Sequence, residues 1–449
     1  MLLAAAWKRL LVAAAAVAII WAAVLSVVPS TPSTTAARPS VTVAGQLTSA
    51  PSAEQGLLRI VVEAGSPAPG GGRFDRFDVP SQPVVAPINA RGQVAFFATV
   101  LRAAAREGFF LAEAERVTKL AAFGDGLPGG GTLAEFADHP LPALNAAGHV
   151  AFVAGTAGGR STEGVFFVGA DGLRAVALAG DDAPGMPGAV LTAFNAPSLN
   201  DDDALAFVAT VRRGRDTLDV LYFWNGRRLQ RIIAEGDRLL RVGGTMDKIG
   251  EVALNNSGVI AFPAAILKGP VLGGIFIAGA RELRLLVGAG GRTPTGAMVQ
   301  RFSEHVAIDD DGEIAFGAHL DRDGSLREAV LRVTSEGLTE IATEGEAAPG
   351  GGRYAGFGPW PTVGSAGATA FVAALDGAAG PLGVFSGVAG DIKRVAVTGE
   401  GLSQGTTLAP LALNAVAAAA ASTGAVTFAT GEAGGQRAAI YCRCPKSIR

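Results

Sequence analysis

A short phrase returns seven times along the chain and constrains its fold more than any other feature. It reads INARGQVAF from Ile88, LNAAGHVAF from Leu144 and LNNSGVIAF from Leu254, with near-copies LNDDDALAF and IDDDGEIAF and worn copies VGSAGATAF and ASTGAVTF. Counted from the Asn or its equivalent, the copies begin at positions 89, 145, 200, 255, 309, 364 and 421, which are 54 to 57 residues apart. A period this regular is typical of propellers, solenoids and other tandem arrays.

The phrase itself predicts a tight turn that enters a strand. An Asn or Asp at its first place can accept backbone N–H groups, and Gly at the fourth place adopts a left-handed conformation without a Cβ clash. The apolar residues that follow alternate, as in a half-buried strand, and the eighth residue is always Phe. The expected turn residues are Asn89, Asn145, Asn200, Asn255 and Asp309, and the expected core anchors are Phe96, Phe152, Phe207, Phe262, Phe316, Phe371 and Phe428.

Two weaker recurring phrases complete a unit of four strands. One is a β-rich run that breaks into a Gly/Pro loop, as in VVEAGSPAPGGG, and the other resembles GVFF. Seven such units predict an all-β fold, a seven-bladed β-propeller of four-stranded antiparallel blades. The repeats open with a fourth strand at residues 56–65 and end with a third strand at residues 437–444. Pairing of the N-terminal strand with the C-terminal blade would close the ring, whereas a linear β-solenoid is the alternative.

The tandem phrase N-x-x-G-x-x-A-F resembles that of bacterial exported proteins named for NxxGxxAF repeats, whose members carry varied membrane or wall anchors. The resemblance covers residues 56–444. It implies export and a propeller-like repeat, and no known reaction. The sixth and seventh copies lack the leading Asn, which departs from the pattern of that family.

The first residues are typical of an export signal. Lys8 and Arg9 precede an uncharged, mostly apolar run at residues 10–28, and this order marks an export segment. The run is also about long enough to span a bilayer. We therefore predict a signal peptide or an N-terminal membrane anchor at residues 1–28, a disordered Pro/Ser/Thr-rich linker at 29–55, the propeller at 56–444 and a tail at 445–449. The chain is expected in the periplasm, at the cell surface or in the medium, held at the membrane by residues 10–28 if they are not cleaved.

Composition and cysteine content limit the classes of partner. Lys and Arg total 37 against 40 Asp and Glu, and the net charge is -3. Without a basic stripe the chain is not expected to bind nucleic acid, and we expect a monomer. Cys442 and Cys444 flank Arg443 near the C-terminus, so no disulfide framework holds the fold. Free thiols, an unusual bridge between the two and an intermolecular bond all stay open.

Acidic residues follow the key Gly of the fourth strand in five of seven units. The loops at this place share a face with the hairpins between strands two and three, and long loops commonly carry function. A ring of carboxylates there could hold Ca²⁺ or receive a basic partner or a sugar; alternatively, each carboxylate caps its own loop. These candidates are Asp125, Asp181, Asp237, Glu346 and Glu400.

Three further side chains are candidates for binding. His139 and His305 precede the first strands of their blades, and Trp360 could form an aromatic platform for a sugar with Tyr354 or be buried against the neighbouring blade. The sequence shows no metal-binding His spacing, no Gly-x-Ser-x-Gly elbow and no phosphate loop.

These features favour an exported, non-catalytic propeller that binds a protein, a glycan or a cation on its long-loop face. Calcium is the only cofactor with any support, through the acidic residues. The alternative is a hydrolase or lyase that acts on extracellular polymers, with acidic loop residues as acid and base. A purely structural surface protein is the third hypothesis.

Overall fold

The described chain consists of β-sheets, as the repeat predicts. A computed structural model describes residues 58–445 apart from 80–81, 137, 280–281, 365–366, 403–406, 412–414, 420–422 and 433–436. Its seven antiparallel sheets are arranged as the blades of a seven-bladed β-propeller, which confirms the predicted fold class. The predicted export segment and linker, residues 1–55, and residues 446–449 of the tail lie outside the described residues. Among the residues described, no helix has the length and apolar character needed to cross a membrane.

Each blade is a meander that runs outward from the propeller axis. Blade one contains β2 (Arg73–Phe74), β3 (Val94–Leu101), β4 (Glu107–Glu113) and β5 (Arg116–Ala122). Blade two contains β6 (Thr132–Leu133), β7 (Ala143–Leu144), β8 (Val150–Ala157), β9 (Glu163–Gly169) and β10 (Gly172–Leu178). Blade three contains β11 (Ala189–Phe194), β12 (Ser198–Leu199), β13 (Leu205–Arg213), β14 (Asp216–Trp224) and β15 (Leu229–Ala234).

The remaining blades follow the same order. Blade four contains β16 (Thr245–Ile249), β17 (Ala253–Leu254), β18 (Ile260–Leu267), β19 (Gly273–Ala278) and β20 (Leu283–Gly288). Blade five contains β21 (Met298–Ile308), β22 (Ile314–Arg322), β23 (Ser325–Thr334) and β24 (Gly337–Thr343). Blade six contains β25 (Arg353–Phe357), β26 (Thr362–Val363), β27 (Thr369–Asp376), β28 (Leu382–Val388) and β29 (Asp391–Val397). Blade seven contains β30 (Ala418–Ala419), β31 (Val426–Thr430), β32 (Ala439–Arg443) and, from the other end of the chain, β1 (Leu58–Glu63).

The innermost strand is longer than the sequence predicts. In blade three both β11 and β12 pair with β13, and residues 195–197 separate the two pieces. The first piece, Ala189–Phe194, falls in the stretch that the sequence assigns to a long loop, so that loop is shorter than expected. The interruption between the two pieces is a bulge in the inner strand. It breaks the alternation of apolar and polar residues, which is the pattern that predicts a strand.

Aromatic residues of the repeat fill the core of each blade. The Phe at the eighth place of the phrase is at most 1% exposed in all seven copies. In six blades it lies directly opposite an aromatic residue of the third strand, as Phe262 lies opposite Phe276 with ring centroids 5.7 Å apart. Cross-strand aromatic pairs add to the stability that burial alone provides.

The Asn of the repeat joins neighbouring blades. Within its own turn, the Asn89 Oδ1 accepts the N–H groups of Arg91 and Gln93, and Gly92 adopts a left-handed φ of 78°. The Asn89 Nδ2 donates to the carbonyl oxygen of Asn145 in the next blade at 2.9 Å. The same bond recurs from Asn145 to Asn200 O (3.1 Å), from Asn200 to Asn255 O (3.2 Å) and from Asn255 to Asp309 O (2.9 Å).

The series changes at blade five, because Asp309 has no amide to donate. There the Arg332 guanidinium, only 5% exposed, forms ion pairs with Asp309 (3.3 Å) and Glu313. An ion pair therefore occupies the place of the amide bond at the end of this series.

The two ends of the described chain close the ring, as predicted. β1 is the outermost strand of blade seven and pairs antiparallel with β32, from Leu58 opposite Arg443 to Glu63 opposite Ala439. Cys442 in β32 and Cys444, just beyond the end of that strand, are joined by a disulfide and are both buried. Of the three states that the sequence leaves open for them, the structure has the bridge between the two.

Candidate functional site

The five loop carboxylates turn back onto their own blades. Each accepts the backbone N–H of the residue three positions earlier, at 2.9 to 3.1 Å; the acceptors are Asp125, Asp181, Asp237, Glu346 and Glu400. Four of them also meet a basic side chain, namely Lys119, Arg160, Arg231 and Arg443 for the first, second, third and fifth. A cap on the end of the fourth strand accounts for the recurrence of these acids. Within the described ranges no three His, Cys, Asp or Glu side chains are grouped as metal ligands.

The inner strands instead bring a different set of side chains together. In six of the seven blades the residue four places before the start of the repeat lines a central cavity of about 270 Å³. In chain order these residues are Val85, Leu141, Ala196, Glu251, His305 and Trp360, whereas Ala417, at this position in blade seven, is buried in the core. Blades one to three present aliphatic groups to the cavity, whereas blades four to six present a carboxyl, an imidazole and an indole.

His305 and Trp360 are in direct contact. Their ring centroids lie 3.4 Å apart with a tilt of 35°. His305 belongs to β21 and forms part of the channel wall, so it does not precede the first strand as the sequence predicts. Burial lowers the pKa of the His305 imidazole to about 3, and the ring is therefore neutral at pH 7, with one nitrogen to donate and one to accept.

Glu251 completes the polar side of the channel. Burial raises the pKa of its carboxyl to about 7; the neighbouring Glu304 adds to the rise and Lys248 opposes it. The Glu251 N–H donates to the Glu304 carbonyl at 2.9 Å, which fixes blade four against blade five at this point. At neutral pH the Glu251 carboxyl is thus divided between its protonated and ionised forms.

Sequence reasoning proposed His305 and Trp360 separately and missed Glu251. The sequence does contain a sign of the site. At the position four residues before each copy of the repeat, Glu251, His305 and Trp360 follow one another in three successive copies, whereas the other copies have aliphatic residues there. The expected platform of Trp360 with Tyr354 does not form, because Tyr354 is 3% exposed and packs on Phe371 and Phe385 in the core of blade six.

His139 lies apart from this set and does not line the cavity. Its backbone N–H donates to Phe136 O at 3.1 Å in the irregular segment between β6 and β7. Burial lowers the pKa of its imidazole, and Asp138 opposes this effect. The site that the geometry supports is therefore formed by Glu251, His305 and Trp360.

A family model described as "Family of unknown function (DUF7453)" matches the chain twice, at residues 101–271 and 267–438. Each match spans about three blades, and together they cover residues 101 to 438 of the 449. No curated protein matches the chain.

Several solved propellers are similar in fold at low identity. The polysaccharide lyase Uly1 is 10% identical, with 86% of this chain and 96% of that chain covered and a TM-score of 0.43. A lectin of Aleuria aurantia in complex with Fucalpha1-6GlcNAc is 10% identical over 74% of this chain and 98% of that one, with a TM-score of 0.37. A PL25 ulvan lyase is 12% identical over 76% and 96%, also at 0.37. Likenesses at this level assign no ligand and no reaction to this chain.

Proposed function

Because the chain belongs to the DUF7453 family of unknown function, we propose its function from its own channel: it is an exported, non-catalytic propeller that binds a glycan at Glu251, His305 and Trp360. The observation that carries the proposal is the break in the repeat. The position has the same structural role in the six blades that line the cavity, and aliphatic residues fill it in blades one to three. The three polar and aromatic residues on adjacent blades have no such structural explanation.

The chemistry of these three groups suits a sugar ring. The indole and imidazole faces offer an apolar surface to the C–H groups of a sugar, while the Glu251 carboxyl and the neutral imidazole exchange hydrogen bonds with its hydroxyl groups. A mostly apolar cavity with a few convergent polar groups is the usual form of a small-ligand site. The cavity, about 270 Å³, has room for one sugar residue at a time, so we expect it to take a terminal or branch residue.

Catalysis by the acidic loop residues is the weaker hypothesis, since each of those carboxylates already caps its own loop. Glu251 would be the acid if the bound glycan is cleaved, because its carboxyl is partly protonated near pH 7. Release of reducing ends during the binding experiment would reveal such an activity.

Export remains part of the proposal on the strength of residues 1–28. Lys8 and Arg9 before the apolar run support it. The expected partner is accordingly a glycan outside the cytoplasm.

The test is a glycan array probed with the protein, followed by titration calorimetry on the best ligand. Trp360→Ala and His305→Ala should each weaken binding by about tenfold or more, because each removes one face of the ring pair. His319→Ala is the matched control: His319 is 42% exposed and lies outside the channel. Equal binding by all three variants, or no glycan bound at millimolar concentration, would overturn the proposal.

A further inference from the structure

A second recurring carboxylate stands at the start of the third strand. It occupies equivalent places in blades one, two, three and five, as Glu107, Glu163, Asp219 and Glu328, each opposite the third residue after the repeat Phe. The Glu163 Oε1 accepts the N–H of Phe194 in blade three at 2.9 Å, and the Glu328 Oε2 accepts that of Phe357 in blade six at 2.8 Å. Glu107 accepts the equivalent N–H of Phe136. In blades one, two and five the carboxylate thus caps the bulge in the inner strand of the next blade, whereas the Asp219 carboxyl accepts the hydroxyl of Thr210 in its own blade.

Blade four departs from this rule. Gly273 takes the place of the carboxylate, opposite Ala265. The residue that it would have capped is Phe302, which lies opposite Ala318 just as Phe194 lies opposite Ala209 and Phe357 opposite Ala373. The Phe302 amide therefore receives no side-chain carboxylate from blade four.

An open cleft is found at this place. A cavity of about 380 Å³ between blades four and five is lined by Gly273, Phe302 and their neighbours. In blade six the same place is taken by Leu382, which packs into the core between blades six and seven. In blade six the Leu382 side chain thus fills the space that the carboxylate occupies in other blades. In blade four Gly273 has no side chain, and the space stays open.

The lining of the cleft is apolar with a positive rim. Pro263, Ala264, Phe302 and Leu272 supply the apolar surface, and Leu272 is 81% exposed. Three charged groups face the cleft: Arg301, Lys248 and Glu304. Lys248 and Glu304 pair with each other at 2.8 Å, so the net charge of the rim is that of the Arg301 guanidinium.

We propose that this cleft is a second binding site, independent of the channel, for a small molecule that carries a carboxylate on an apolar body. The ligand carboxylate takes the place of the missing Glu side chain and accepts the Phe302 N–H, while Arg301 contributes the opposite charge. The apolar body packs on Pro263, Phe302 and Leu272. The repeat itself identifies the ligand class, since three other blades place a carboxylate on this amide.

The first experiment titrates 3-phenylpropanoate into the full chain by calorimetry, with 3-phenylpropanamide as the neutral isostere. The acid should bind about tenfold more tightly than the amide, as expected for a charge-assisted hydrogen bond. Arg301→Glu should remove this preference. Arg284→Glu, which changes an exposed arginine of blade four outside the cleft, should leave it intact. Equal affinity for acid and amide, or an unchanged preference in Arg301→Glu, would exclude the proposal.

A second experiment opens the same place in blade two. Restoring a Glu at position 273 is not usable, because a Cβ there would lie 2.6 Å from Ala264 O. Glu163→Ala should instead lower the thermal midpoint, and added acetate should recover part of the loss when chloride at equal ionic strength does not. Glu336→Ala, at an exposed turn, should show no acetate effect. If acetate fails to recover Glu163→Ala, the bulge amide does not take a free carboxylate and the inference fails.

Discussion

The Asn of the repeat makes two kinds of hydrogen bond, one within its own turn and one to the next blade. Its Oδ1 caps its own turn, which local turn chemistry predicts. Its Nδ2 donates to a carbonyl 54 to 56 residues away, which no local pattern reveals. The recurrence of Asn rather than Asp in four copies is explained by this donor, because a carboxylate has no hydrogen to give.

Replacing Asn200 by Asp separates the two duties. The variant Asn200→Asp keeps the acceptor but sets a carboxylate oxygen against Asn255 O in a place that is 4% exposed. We expect a loss of about 1–3 kcal/mol in the free energy of unfolding, measured by urea denaturation. Asn225→Asp is the control, because the exposed Asn225 uses its Oδ1 for the N–H groups of Arg227 and Arg228 and an Asp keeps both bonds. Equal losses in the two variants would show that the bond between blades contributes nothing.

The channel residues predict a pH dependence in which two effects oppose each other. The pKa of Glu251 rises from 4.5 to about 7 on folding. Between these values the folded state keeps a proton that the unfolded chain has lost, so the contribution of Glu251 to stability falls as pH rises. The pKa of His305 falls from 6.5 to about 3. Over that range the unfolded chain holds the extra proton, so the contribution of His305 falls as pH falls.

The two slopes cancel between about pH 4.5 and 6.5 in the wild-type chain, and single variants should reveal them. On going from pH 6 to pH 5, Glu251→Gln should lose about 1 kcal/mol of unfolding free energy relative to wild type, and His305→Gln should gain about as much. Urea denaturation at the two pH values measures both. Parallel pH profiles for wild type and both variants would contradict these pKa shifts.

At the scale of elements, the sequence predicts what repeats and misses what departs from the repeat. The four-strand unit and the turn before β3, β8 and β18 follow from alternation and from Asn and Gly at fixed places. The split of the inner strand, as between β11 and β12, was not predicted because a bulge shifts the alternation by one residue. For the loop carboxylates the sequence offered both a ring and a cap on each loop, and the hydrogen bonds to the backbone three residues back are those of the cap.

The candidate sites were hidden for a related reason. Glu251 and Gly273 are unremarkable alone and become informative only when each is compared with its equivalents in the other blades. That comparison needs the strand register, because the bulges of the inner strands vary in length. Phe302 and Phe194 are equivalent in the strand pairing, yet Phe302 lies seven residues before its copy of the repeat and Phe194 lies six. The sequence alone is enough to align the turns of the seven copies. The strand pairing is needed to align the remaining positions, and it is at those positions that Glu251 and Gly273 differ from their equivalents in other blades.

At the scale of the whole molecule, both proposed sites fall on one side of the ring. Glu251, His305 and Trp360 come from blades four to six, and the cleft at Gly273 lies between blades four and five. Blade seven, which β1 completes, packs directly against blade six, which carries Trp360. A propeller holds its blades in position only while its ring is closed, so the proposed sites depend on a strand that belongs to another blade.

The closing strand can therefore be tested by its removal. A chain lacking residues 1–64 loses β1 and exposes the edge of β32, whereas a chain lacking residues 1–51 keeps the unit 52–449. Loss of a six-residue ladder and of buried Val62 should lower the thermal midpoint by roughly 5–10 °C relative to the shorter truncation. A synthetic peptide of residues 56–65 should restore part of that loss by pairing with β32. Identical midpoints for the two truncations would mean that blade seven is stable with three strands and that ring closure does not depend on the joined ends.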